Sequence, residues 1–80
     1  MKGGMKMAFN YNKLRGRIVE IYGSQIEFAK AMKWSERTLS CKLNGKIPWK
    51  QTDIMEAVKL LKLSESDIQE YFFAVEVQKI

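Results

Sequence analysis

Histidine is absent from this chain of 80 residues, and cysteine occurs once, as Cys41. The first absence excludes imidazole acid–base chemistry, and the second excludes an intrachain disulfide and leaves no set of zinc ligands. A reducing compartment suits such a chain. Proline is nearly missing too, so Pro48 is the one place where helix is limited by a fixed backbone. No apolar run approaches the ~20 residues that a membrane span needs, and residues 1–7 lack the apolar core of a signal peptide. The expected location is the cytoplasm, with no membrane partner. Nor is there a clustered acid–base pair, a nucleophile beside a base, or a phosphate-binding loop. The chain is therefore expected not to be an enzyme, to take no small-molecule substrate, and to carry no cofactor or metal.

Charge is present in quantity, and it is unevenly placed. The net charge is +5, but residues 1–50 carry eleven Lys/Arg against three acids while residues 51–80 carry three Lys against six acids, giving +8 and −3. A chain polarised in this way fits a first half that meets phosphate and a second half that faces elsewhere, although an uneven solvated surface has the same signature. Eighty residues make one domain with a modest core and little stability to spare, some of which a second copy could supply.

Hydrophobic spacing predicts an all-α domain of five helices over residues 9–74, with a flexible segment at 1–8 and a short tail at 75–80. Helix 1 is expected from about Tyr11 to Tyr22, capped by Asn10, with Leu14, Ile18 and Ile21 on one stripe and Gly23 ending it. Ile47-Pro48-Trp49 forms a connection. Helix 4 follows from about Gln51 to Leu61 with Ile54, Ala57, Val58 and Leu61 turned inward. Leu63 plugs the core before Ser64, which with Asp67 has the spacing of a capping box opening helix 5, where Ile68, Tyr71 and Phe72 lie.

The most informative stretch runs from Ser24 to Gly45, SQIEFAKAMKWSERTLSCKLNG. Ser24 caps a helix and Glu27 stands three positions on, while Phe28, Ala29 and Met32 share a face. Small Ala29 suits a close helix crossing. Lys33-Trp34 makes the turn, Ser35 caps the next helix, and Leu39 and Leu43 mark its buried stripe. Asn44-Gly45 ends it. This is the layout of a helix-turn-helix, with Glu36, Arg37, Ser40, Cys41 and Lys42 facing outward or flanking the stripe.

These residues, together with YNKLRGRI and a late EYFFA, resemble the lambda-repressor-like (Cro/C1, XRE-type) helix-turn-helix family, in particular its small phage and prophage regulators. The likeness spans roughly Tyr11 to Ala74, with Gln25, Ala29, Leu39 and Asn44-Gly45 at the family's spacing. Two departures stand out: Lys33 holds a turn position usually given to glycine, and Cys41 replaces a longer polar reader. The resemblance implies a regulator that binds double-stranded DNA at an operator by inserting helix 35–44 into the major groove. Glu36, Arg37, Ser40 and Cys41 would face base edges. Ser24, Gln25, Ser35, Thr38, Lys42, Asn44, Lys46 and Lys50 would hold the DNA backbone.

Physical chemistry sorts these candidates further. A guanidinium at Arg37 can bond guanine O6 and N7 together, although it could also pair with Glu36 or Asp53 on the surface. Glu36 could accept from cytosine N4 and otherwise repel phosphate, serving discrimination. Lysines at 42, 46 and 50 supply charge without bidentate geometry. Trp34 and Trp49, beside the turn and the loop, fit packing better than base stacking.

The tail has two readings. Phe73, Val75 and Val77 alternate as a strand would, while Phe72, Val75 and Lys79 suit a helical continuation. A homodimer built from Tyr71, Phe73, Val75 and Val77 is expected, the strand pairing with a second copy, against a tail that folds back to cover helix 1. A rival class is a protein-interaction module, antitoxin-like or anti-repressor, to which the acidic second half and apolar tail give support.

Overall fold

The computed structural model describes the backbone of residues 6–78 and the side chains of residues 9–75. Within them, five α-helices pack around one core and a two-stranded ribbon closes the side of the bundle: β1 Lys6–Phe9, α1 Asn12–Tyr22, α2 Gln25–Met32, α3 Glu36–Leu43, α4 Gln51–Leu60, a single 3₁₀ turn Glu65–Asp67, α5 Ile68–Phe72 and β2 Val75–Gln78. The helical architecture is the one that the hydrophobic spacing predicts.

Each boundary has a local cause. Asn10 Oδ1 accepts from the Asn12 N–H at 2.8 Å, opening α1, and Gly23 closes it at φ 86°, a left-handed conformation that a residue without Cβ adopts freely. Ser24 Oγ accepts from the Glu27 N–H at 3.2 Å, and Ser35 Oγ accepts from the Thr38 N–H at 3.1 Å, so both helices of the motif begin on serine caps. The Ser64 N–H donates to Asp67 Oδ2 at 3.0 Å, which fixes the turn into α5. Leu14, Ile18, Phe28, Leu39, Leu61 and Phe72 form the innermost layer, drawn from all five helical segments or their ends. Trp34 and Trp49 pack edge to face with ring centroids 5.6 Å apart, and Trp49 meets Phe72 at 5.1 Å, so both tryptophans are packing residues.

The two ends of the domain depart from expectation. Residues 6–8, read from sequence as part of a flexible segment, belong to β1; residues 1–5 lie outside the described residues. The tail is a strand, and its antiparallel partner is β1 of the same chain, with Phe9 opposite Val75 and Met7 opposite Val77. Asn10 N–H donates to Ala74 O at 2.7 Å and extends the ladder. The alternating segment 75–77 thus pairs in register with 7–9, a pairing that local patterning alone does not reveal.

Candidate functional site

The candidate site is built on two helices, α2 and α3, joined by one strained turn. Ala29 is 1% exposed where α2 and α3 approach, which leaves no room for a larger residue. Lys33 ends α2 at φ 64°, ψ 37°, and the Trp34 N–H returns to Ala29 O at 2.8 Å. A lysine in this left-handed region carries the Cβ strain that glycine avoids.

On the outer side of α3 the four candidate base readers do come together. Glu36, Arg37, Ser40 and Cys41, with Asn44 and Lys46, line a shallow depression of about 390 Å³. Arg37 is exposed and makes no side-chain hydrogen bond or ion pair among the described residues, pairing with neither Glu36 nor Asp53, the latter being bonded to Lys42. Lys46 and Lys50 are exposed as well, without ion-pair partners among the described residues. Gln25 stands half-buried at the first position of α2, where backbone N–H groups point outward. Ser24 and Ser35 are occupied as caps, and Ser35 Oγ also donates to Thr38 Oγ1 at 3.0 Å, so this pair of hydroxyls is satisfied internally.

Lys42 corrects the sequence reading. Expected at the DNA backbone, it is only 5% exposed: its Nζ donates to Asp53 Oδ2 at 3.0 Å and to Pro48 O at 3.1 Å, and lies 4.9 Å from the centre of the Trp34 ring. The apolar stem sits on the Leu39–Leu43 stripe while the ammonium is fully bonded inside. Burial alone would raise the Asp53 carboxyl, but the Lys50 N–H and the Lys42 ammonium outweigh it and hold the group below the ordinary aspartate range. With the Trp49 Nε1–H bonded to Lys42 O at 3.3 Å, this cluster fixes the α3–α4 loop to α3. Spacing held a signal, since Lys42 stands three residues after Leu39 and one before Leu43.

Two arginines of α1 were missed. Arg15 donates to Leu43 O at 3.0 Å and to Asn44 Oδ1 at 2.8 Å, satisfying the C-terminal end of α3 and occupying a side chain expected at phosphate. Arg17 does the same for the end of α4, through Leu61 O at 3.0 Å and Lys62 O at 3.4 Å. Nothing in local periodicity marks either, because their partners lie 28 to 45 residues away.

The expected dimer residues also divide. Tyr71 packs against the core, with Lys13 Nζ 5.6 Å from its ring centre, whereas Phe73 and Val75 are exposed. The side chain of Val77 lies outside those described. Among the described residues, no helix is long and apolar enough to cross a membrane and no acidic or sulfur cluster could hold a metal ion.

A bundle of five helices closed by a two-stranded ribbon is the class that these features define. Within it, the chain belongs to the family described as protein of unknown function DUF739, whose model matches residues 7–75. The fold is also similar to the solution structure of the modulator of repression (MOR) of the temperate bacteriophage TP901-1 from Lactococcus lactis, at TM-score 0.73 and 49% sequence identity, covering 81% of this chain and 88% of that one. No curated protein matches the chain.

Proposed function

We propose that this protein is a phage regulatory protein that modulates repression by binding a protein, the repressor of the phage or prophage that carries it. The observation that carries the reading is the 49% identity to a phage modulator of repression across most of both chains. The acidic second half and the exposed apolar residues near both ends are consistent with a protein partner. Such a regulator works where the repressor works, in the cytoplasm of a bacterial host. The mechanism is occupancy: a complex that changes the repressor's grip on its operator without any covalent step. Isothermal titration of the chain into purified repressor without DNA should give saturable heat, and absence of both heat and co-elution would sink the reading.

A second reading is kept by one observation, the exposed and unpaired Arg37 amid Ser40, Cys41 and Lys46 on α3. In it, the chain binds an operator directly, as a homodimer reading paired half-sites about one helical turn apart. Selection from a randomised duplex library separates the two, because an enriched inverted repeat bound with a steep salt dependence belongs to direct operator binding alone.

A further inference from the structure

Four large apolar side chains that stay exposed, Phe9, Ile47, Met55 and Phe73, line two hollows of about 440 and 680 Å³. The hollows share Trp49, Ile54 and Phe73 as walls, so together they make one groove running from the α3–α4 loop, past the ribbon, to the gap between α4 and the turn before α5. Met55 is 62% exposed on its rim. A contiguous apolar surface of this kind on a small domain marks a place that is covered in use.

Charge and shape specify what covers it. Glu65 is the charged residue that lines the groove, before α5; Lys50 stands between Trp49 and Gln51, which also line it, while Lys46 lines the depression on α3 instead. None of the three has an ion-pair partner among the described residues. A second copy offering the same face would set hollow against hollow and leave a void, which forfeits dispersion contacts. A convex occupant fills it, and an α-helix of roughly 10 Å diameter is the common one.

We propose that this groove receives an amphipathic helix of the partner protein. Its apolar stripe, spaced i, i+3, i+4 and i+7, packs over Trp49, Met55 and Phe73; its acidic end meets Lys50, and its basic end meets Glu65. The inference rests on the repressor-binding reading and names the surface that serves it. Asn44 lines both the groove and the depression on α3, so the docked helix borders the candidate DNA-reading face.

The test is a titration of ¹⁵N-labelled chain with the purified full-length repressor, run on wild type and on Met55→Glu, Lys50→Glu, Glu65→Lys and, as a control on the exposed outer side of α1, Val19→Glu. Shifts are expected at Ile47, Trp49, Met55, Val58 and Phe73. Met55→Glu should weaken binding by at least about tenfold, each charge reversal by about threefold or more, and Val19→Glu should bind as wild type. Thermal midpoints of all variants establish that they are folded, and loss of fold in Met55→Glu leaves the two charge reversals to decide. If the repressor binds while the groove variants bind as wild type, the groove is not the site and the repressor-binding reading stands. If wild type does not bind, both fall. If Met55→Glu instead dissociates a dimer of the chain itself, the occupant is a second copy and the partner helix is overturned.

Discussion

The outer face of α3 and the apolar groove lie on either side of one wall, the loop from Asn44 to Lys50, and they are finished differently. On α3, polar side chains satisfy one another over short spacings or stand free in water, as Ser35 with Thr38 and Arg37 alone do. In the groove, Met55, Phe73 and Ile47 leave apolar area exposed that no part of the described chain covers. The first surface is content in solvent and gains only from a charged ligand, whereas the second loses free energy until something apolar arrives. A search for function that begins at α3 therefore begins at the less costly surface. The wall between the two is held by Lys42, Asp53, Trp49 and Arg15, all bonded across it or at its ends.

The largest effect is expected where the wall is broken for both sides. Asp53→Ala strands the buried Lys42 ammonium and should cost about 3 kcal/mol, the low end for a broken buried pair because Asp53 keeps some solvent contact. Lys42→Met, which removes the charge instead of stranding it, should cost less; urea midpoints that rank them the other way would refute the stranded-charge account. The same pair sets an acid limit. Because the folded-state pKa of Asp53 lies below its unfolded value, its contribution is present above about pH 4 and is lost as pH falls through the folded value. Asp67, lowered by the Ser64 N–H and hydroxyl, has the same sign. Asp53→Asn should flatten the fall in stability below about pH 4, and an unchanged slope would assign the acid sensitivity elsewhere.

A second test touches the α3 face alone. Under direct operator binding, Arg37→Ala should cost about 1–3 kcal/mol on the selected site and relax one base position, while Lys46→Ala weakens every duplex alike and flattens the salt slope. Equal losses on all duplexes for Arg37→Ala would remove its reading role. Smaller is Arg15→Ala, which frees the end of α3 and should lower stability by about 1–2 kcal/mol, with faster amide exchange at Asn44 and Gly45 as the local sign. Smallest, and of opposite sign, is Lys33→Gly, which relieves the left-handed turn and should raise stability by about 0.5 kcal/mol; a loss would show that the Lys33 side chain supports the turn.

Much of this architecture was legible in order along the chain. Caps at Ser24, Ser35 and Ser64, the stripes of α1 and α4 and the glycine stop at Gly23 are all set by residues within one or two turns of each other, and local periodicity reads them. The four outward residues of α3 were placed on one surface by the same rule. Missing were the contacts whose partners are far apart in sequence: Arg15 with Leu43, Arg17 with Leu61, Lys42 with Asp53, and the pairing of β1 with β2. Alternation at Phe73, Val75 and Val77 showed a strand but not its partner, since period-2 patterning carries no address. Lys42 was misplaced by treating charge as exposure, when its position on the Leu39–Leu43 stripe was the better guide.

The ribbon has a consequence for how the molecule comes into being. Its strands lie about 70 residues apart along the chain, so among the described residues their register is the most distant contact and demands the largest loop closure. Loop closure therefore predicts that helices with local caps and neighbouring partners assemble first and that the ribbon pairs after the helical bundle has brought its strands together. In that order the outer face of α3 is complete before Phe9 arrives at the groove, and the two surfaces are expected to form one after the other.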